Sequence, residues 1–337
     1  MGRKTKINEH FNEEIWKTVN EENKYLLDEF QSYLNSVDRS DATIFQYMKD
    51  IKGFFCWFHD NCKNKEFYNI KKRDVIKYQG YLLNDLGLSS SRVRRLKSSL
   101  SSLSNFIVKI LDEDYPDFKN IINFIEAPQK NAVREKTILT EEDLKLICDT
   151  FVSKGEIQKA CYFAILASSG MRKSEAFRIK VSDFSEENKI SEAVYKSRPI
   201  KTKGRGKTGK VISKYFLISI LEPYLSLWLD KRKEEGIDNE YLFANKSGKS
   251  SISSGDYWCK LATEILGKQI YSHSLRHYLT TYMSKNNIPT KIIQEYNGWQ
   301  NSVMIEIYDD GVAEDSFAEY FSKDGIKKVE NKNIDEL

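Results

Sequence analysis

The chain has 337 residues, of which 40% are hydrophobic, 12% aromatic and 30% charged, with a formal net charge of +4. That length exceeds one ordinary domain and suits two, and the composition is that of a globular protein able to bury real cores. The longest apolar run, around Ala160 to Ala167, is far too short to span a bilayer, and so mild a charge does not by itself demand a nucleic-acid partner.

The N-terminus MGRKTKINEH lacks an apolar core, so no signal peptide is expected and residues 1–20 read as a tail. Five cysteines (Cys56, Cys62, Cys148, Cys161, Cys259) are odd in number, widely spread and without metal-ligand spacing. They read as reduced thiols of a cytoplasmic protein.

Residues 21–125 read as a small all-helical domain. Leu26, Phe30, Leu34 and Val37 recur at helical spacing, as do Ile44, Tyr47, Met48, Ile51, Phe54, Phe55 and Phe58 after a cap at Ser40 or Asp41. A third helix is expected from about Arg73 to Leu83. A fourth follows Ser89-Ser90-Ser91, with Val93, Leu96, Leu100, Leu103 and Ile107 facing inward. Arg92, Arg94, Arg95 and Lys97 crowd its first turns, where the helix dipole favours acids. They are either solvated cations or contacts to phosphate.

Residues 126–137 carry Pro128 and no hydrophobic period, and read as an interdomain linker. A helix then opens at Thr140-Glu-Glu-Asp143, a capping-box pattern with Leu139 placed to pack on Leu144. Ile157 to Ile179 reads as helical. Two β-type runs follow, Ala193 to Ile200 and Val211 to Ile218, joined by a glycine-rich turn. Eight Lys or Arg and no Asp or Glu fall between Ala193 and Lys214, a local positive field that is either a solvated loop or a phosphate-binding arm. Within it, Gly204-Arg-Gly-Lys-Thr-Gly209-Lys210 nearly spells a nucleotide-binding loop. Val211 replaces the hydroxyl residue that would hold magnesium, and a strand follows where a helix is required. Nucleotide hydrolysis is excluded on that ground.

Helices resume at Leu221 and continue, with loops, to about Phe321. After Ser272, Leu275, Leu279, Tyr282 and Met283 share one helical face, and His273, Arg276, His277 and Thr280 share the other. That polar stripe is either the wet side of a helix or a reactive surface. Pro289-Thr290 opens a further helix that Asn297-Gly298 closes, leaving Trp299 at the start of a loop. Ser302 can cap the next turn, which carries Ile305 and Tyr308. Residues 327–337 read as a polar tail.

Three boxes in this order carry a resemblance. Ser169-Gly170-Met171-Arg172-Lys173-Ser174-Glu175, then His273-x-x-Arg276-His277, then Gly298-Trp299 with Tyr308 resemble the conserved segments of the tyrosine recombinases, the phage integrase and Xer/Cre family. With a basic hairpin between the first two boxes, the combination is highly specific. The resemblance implies a mainly α fold with a small antiparallel β-sheet. A helical SAM-like core-binding domain would be joined to a tyrosine-recombinase catalytic domain over residues 138–326.

It also implies roles. Tyr308 matches the nucleophile, Arg172, His273 and Arg276 the phosphate-activating residues, and Glu175 the acid that supports the site. Trp299 stands where histidine is commoner, and its indole N–H can still donate to a phosphate oxygen. The family's catalytic lysine lies on the hairpin, where Lys201 is preferred over Lys203. Arg92, Arg94, Arg95, Lys97, Lys203, Arg205, Lys207 and Lys210 are the expected DNA contacts. The chemistry fits: attack on a phosphodiester builds negative charge that planar guanidiniums can stabilise without a metal. A phenol is mostly protonated at neutral pH, so nearby cations or a base must make its oxygen reactive.

The partners implied are double-stranded DNA, gripped between two domains, and three further copies of the chain in a homotetramer on paired DNA sites, with no cofactor, no metal and no membrane. Ala313 to Phe321, with Phe317, Tyr320 and Phe321, is the segment expected to reach a neighbouring protomer or to pack on its own domain. The rivals are a type IB topoisomerase, against which the separate helical domain argues, and a sequence-specific DNA-binding protein that has lost catalysis.

Overall fold

The structure, a computed structural model, describes residues 11–129, 137–202, 209–309, 311, 321–322 and 325–326. Two compact units are formed. The first contains α1 (Glu13–Thr18), α2 (Glu21–Ser36), α3 (Asp41–Asn61), α4 (Lys72–Gly80) and α5 (Ser90–Ile110). Its core is closed by the residues whose spacing predicted helices: Leu26, Phe30 and Leu34, then Ile44, Ile51, Phe54 and Phe58, then Val93, Leu96, Leu100, Leu103 and Ile107. Val37, expected with them, is instead the exposed C-cap of α2. Ser40 stands at the N-cap of α3, but its hydroxyl lies 2.8 Å from Thr43 Oγ1 rather than on a backbone N–H.

This unit starts earlier than the expected residue 21. Asn12 Oδ1 accepts from the amides of Glu14 and Ile15 at 2.9 and 3.2 Å, capping α1. Trp16 then packs on the core and Val19 is buried in it. A helix of under about two turns shows no readable period, which is why residues 13–19 look like tail in sequence. The unfavourable cations at the start of α5 also find their explanation here. Asp50 of α3 is buried with Oδ1 3.2 Å from both Arg92 Nη2 and Arg95 Nη2, while Ser99 Oγ donates to its Oδ2 at 3.1 Å.

The second unit comprises residues 137–202 and the described residues from 210 on. In chain order it contains α6 (Glu141–Ser153), α7 (Ile157–Ser169), α8 (Lys173–Ala176), β1 (Lys189–Ser191), β2 (Val194–Lys196), β3 (Ile200–Thr202), β4 (Lys210–Ile212), β5 (Tyr215–Leu217), α9 (Ile218–Glu234), β6 (Ala244–Asn245), β7 (Gly248–Lys249), α10 (Ser254–Leu266), α11 (Ser272–Lys285), α12 (Thr290–Asn297), α13 (Val303–Tyr308), β8 (Phe321–Ser322) and β9 (Gly325–Ile326). The capping box of α6 forms as expected, with Asp143 N–H donating to Thr140 Oγ1 at 3.2 Å and Thr140 N–H to Asp143 Oδ2 at 3.1 Å. Helix α7 is central: every residue from Ala160 to Ser169 is buried, and α6, α9 and α11 pack around it. The helical stretch expected to reach Ile179 breaks at Gly170, a left-handed residue that caps α7.

The two β-type runs each split in two. Strands β1, β2 and β5 form one antiparallel sheet, with Val194 opposite Leu217 and Lys196 opposite Tyr215; β3 and β4 form a separate ladder, with Ile200 opposite Ile212. The interruption has a cause. Pro199 has no N–H to give a ladder, and Ser197 takes over the pairing: its N–H donates to Lys214 O at 2.8 Å, and Lys214 N–H donates to Ser197 Oγ at 2.9 Å. The fold is mainly α with small antiparallel sheets, as the sequence implied. Among the described residues no helix is long and apolar enough to cross a membrane, and all five cysteines are buried and free.

Candidate active site

Two left-handed glycines bring distant segments together. Gly170 ends α7 with φ +56°, and a Cβ there would lie 2.7 Å from Asn297 Oδ1 and 3.1 Å from Leu279 Cδ2. Gly298 ends α12 with φ +67°, and a Cβ there would meet Ile212 Cδ1 at 2.5 Å. Only a hydrogen at each α-carbon lets α7, α11, α12 and β4 meet this closely. Gly298→Ala is therefore expected to cost about 1–3 kcal/mol, from overpacking together with the strained backbone. A thermal melt checks this, and an unchanged midpoint would contradict the close approach.

Arg276 is the hub. Its side chain is 1% exposed, so at Arg276 the polar stripe of α11 faces protein and not water. Nη1 donates to Gly170 O at 2.8 Å and Nη2 to Asn297 O at 3.2 Å. The carbonyl groups at the ends of α7 and α12 thus fix the guanidinium. Its Cζ sits 4.9 Å from the Trp299 ring centre and 5.3 Å from that of Tyr308. Burial and Arg172 lower its pKa to about 10, which still leaves it charged at neutral pH. Both Arg276 Nε and Trp299 Nε1 are buried donors with no hydrogen-bond partner. Unmet buried donors are costly, and two beside one another, one of them cationic, form a ready receptor for an anion's oxygens.

Tyr308, the last residue of α13, lies against this receptor. Its ring stacks on Trp299 (centres 5.2 Å apart, 21° between planes) and is 4.8 Å from the ring of His277. Its hydroxyl is 3.0 Å from His273 Nε2. Burial, then the neighbouring Arg276, His277 and Arg172, lower the His273 pKa from the ordinary imidazole value, so at neutral pH its ring is neutral and Nε2 can accept a proton from the phenol when Nδ1 carries the hydrogen. The expected cap of α13 is corrected: Ser302 makes no side-chain cap, and Asn301 Oδ1 accepts from Val303 N–H at 2.9 Å in its place. The Asn301 side chain reaches a donor two residues on, geometry that asparagine provides more readily than serine.

Arg172 caps the short helix α8 and is oriented by Glu175, which is fully buried. Glu175 Oε2 accepts from the Arg172 amide at 2.9 Å, and Oε1 from Arg172 Nη1 at 2.9 Å. The lysine that the structure adds to this cluster is Lys214. It is 1% exposed, with Nζ 3.3 Å from Glu175 Oε2. Burial raises the pKa of Glu175, but Lys214 and the Arg172 amide and guanidinium outweigh it and hold the carboxyl ionised below its ordinary range. Burial, Arg276 and Arg172 lower the pKa of Lys214. For Lys214 burial outweighs the opposing pull of Glu175, and the surrounding cations act in the direction seen for both groups, favouring the one anion and disfavouring each further cation.

The expected hairpin residues are distributed otherwise. Lys201 sits on β3 with its side chain exposed between the buried Ile200 and Thr202, and its carbonyl accepts from Arg178. Lys210 is exposed on β4. Lys203, Arg205 and Lys207 lie outside the described residues, as does Ala313 to Tyr320. In the first unit Arg92 and Arg95 flank Asp50. Arg94 donates to Pro128 O at 2.5 Å. Lys97 departs from the expectation of a DNA contact: it is buried, its ammonium donates to Ile125 O at 2.7 Å, and burial lowers its pKa. The sequence singled out neither Lys214 nor Asn297 for the site, because strand patterning says nothing of a side chain turned inward at a break.

The sequence profile of the phage integrase family matches residues 137–314, and that of the phage integrase N-terminal SAM-like domain matches residues 26–117. The chain belongs to the phage integrase family. It is 31% identical over 293 residues to the SPbeta prophage-derived recombinase-like protein YomM of Bacillus subtilis (strain 168), spanning 84% of this chain and 85% of that protein. It is 24% identical over 294 residues to the tyrosine recombinase XerD of Oceanobacillus iheyensis, spanning 85% and 93%. The fold is shared with a lambda integrase tetramer bound to a Holliday junction, with a TM-score of 0.63, 19% identity and coverage of 85% of this chain and 77% of that one. By family it is a tyrosine-type recombinase, as the three boxes implied.

Proposed function

We propose that this integrase-family chain is a site-specific recombinase that cuts and rejoins double-stranded DNA through a covalent 3′-phosphotyrosyl intermediate on Tyr308. The observation that carries the reading is the Tyr308 hydroxyl, 3.0 Å from His273 Nε2 and beside two buried donors, Arg276 Nε and Trp299 Nε1, that have no partner.

In the forward step Tyr308 Oη bonds to phosphorus while the bond to the 5′-oxygen breaks. The phenol's proton passes to His273 Nε2, and the departing oxygen takes a proton from a hairpin lysine. Lys201 suits that task because its side chain is exposed and can meet DNA. Arg172 and Arg276 hold the non-bridging oxygens, and their charge favours the pentacoordinate state over the ground state. In reverse, a 5′-hydroxyl from another strand attacks the phosphotyrosine. The ester keeps the energy of the broken bond, so no nucleotide hydrolysis is required, and the two guanidiniums supply the charge stabilisation that a metal would otherwise give. The exposed Lys210, the partly exposed Arg92 and the exposed Arg95 are proposed phosphate contacts, whose loss weakens binding and its salt dependence. The lambda integrase relative is a tetramer on its junction, and four copies on paired sites is the assembly proposed here.

The direct test is a suicide substrate nicked beside the cleavage site, incubated with the full chain and resolved under denaturing conditions. A protein–DNA adduct is expected; its absence on a substrate that carries the chain's recombination site would defeat the reading. The role of His273 predicts a pH profile as well. Since the pKa of His273 is lowered, the base stays neutral at pH 7, and adduct formation should fall only as the pH drops to values below about 6.5. His273→Gln should remove that acid limb and slow cleavage at pH 7 by roughly a hundredfold or more. An acid limb that persists in the Gln variant would assign it to another group.

A further inference from the structure

Lys214 lies in the interval between β4 and β5 where Ser197 clasps its backbone, and its side chain is turned inward. Lysines are almost never fully buried unless paired. Here the partner is a carboxylate already held twice by Arg172. A Cβ at Gly298 would lie 4.0 Å from Lys214 Nζ, so the ammonium sits behind the loop that presents Trp299. Arg172, Arg276 and Lys214 are three cations set against the single carboxylate of Glu175, an excess of two positive charges. Without Lys214, Glu175 would answer Arg172 alone and the excess would fall to one. Attack on a phosphodiester monoanion raises the charge on the phosphoryl oxygens, so each buried positive charge stabilises the reacting state more than the bound substrate.

We propose that Lys214 is a positioning residue for DNA cleavage: by taking up one oxygen of Glu175 it keeps that carboxylate from neutralising Arg172 and maintains the excess of positive charge behind the phosphate. It acts through Glu175 and does not touch DNA, which separates it from the exposed hairpin lysines. The inference rests on the recombinase reading above.

The test is single-turnover adduct formation at saturating suicide substrate by the full chain and its Lys214→Met variant. Each is assayed with a normal 5′-oxygen and with a bridging 5′-sulfur, which departs without a proton. The Met variant is expected to cleave roughly ten- to a hundredfold more slowly, the scale of one charge several ångströms away inside a protein. Its DNA affinity should be nearly unchanged, and the loss should persist on the sulfur substrate. The double variant Lys214→Met with Glu175→Gln restores the excess of two charges and should recover most of the rate. If the single variant does not fold, the double variant, which removes the Lys214–Glu175 ion pair as a unit, is read against wild type, where a loss of a hundredfold overturns the proposal. An unchanged rate in Lys214→Met also overturns it, as does a loss erased by sulfur, which would make Lys214 the proton donor. Failure of the wild-type chain to form any adduct defeats the recombinase reading itself; a wild-type adduct with an unaltered Lys214→Met rate defeats only this inference.

Discussion

Tyr308→Phe is expected to abolish the covalent protein–DNA adduct while leaving DNA binding and the fold intact. The substitution deletes one oxygen whose bond is to His273 Nε2 at 3.0 Å, a contribution of about 1 kcal/mol to stability. The ring that remains keeps its stacking on Trp299 and its contact with His277. It also still faces the guanidinium of Arg276. Loss of chemistry and retention of structure are therefore separable at this position, which they would not be in Tyr308→Ala, where the cover over Arg276 goes too. Denaturing electrophoresis reads the adduct and a mobility shift reads binding. Undiminished adduct in the Phe variant would move the nucleophile elsewhere.

Much of the scaffold around this cluster was legible in sequence, and for physical reasons. Amphipathic periods over several turns located α2, α3, α5 and α11, because burial of one helical face is the dominant constraint on such segments. Pro289 and Gly298 bounded α12 because one lacks a backbone donor and the other tolerates positive φ. Whether a polar side chain on α11 meets water or protein was not legible: Arg276 and the exposed His273 share a face, yet Arg276 is enclosed by Gly170 and Asn297, which arrive from segments distant in sequence. The same limit hid Lys214. Eight cations in one run look alike by composition; the one turned inward lies at the strand break that Ser197, two residues before Pro199, clasps through its backbone. Lys97 is the counterpart in the first unit, where a cation that composition assigns to the surface caps the Ile125 carbonyl.

Arg276→Lys and Arg172→Lys should each lower the rate of adduct formation by roughly a hundredfold or more, the scale of losing a strong transition-state donor, but they should differ in what else they disturb. At Arg276 a lysine keeps the charge and loses the planar fork, so it cannot hold Gly170 O and Asn297 O at once while still offering a donor to the phosphate. One buried carbonyl is left unmet, and the variant should also melt earlier by the equivalent of about 1–3 kcal/mol. Arg172 is 35% exposed, and among the described residues its guanidinium is tied to Glu175 Oε1. A lysine there can still pair with Glu175, so the melt should stay near wild type while cleavage falls. Cleavage rates and melting midpoints measured together separate the two arginines into a fixed, buried donor and a more accessible one. Near-normal cleavage by both variants would mean that charge alone suffices at the phosphate, and the fork geometry set by the two left-handed glycines would then serve the fold rather than the chemistry.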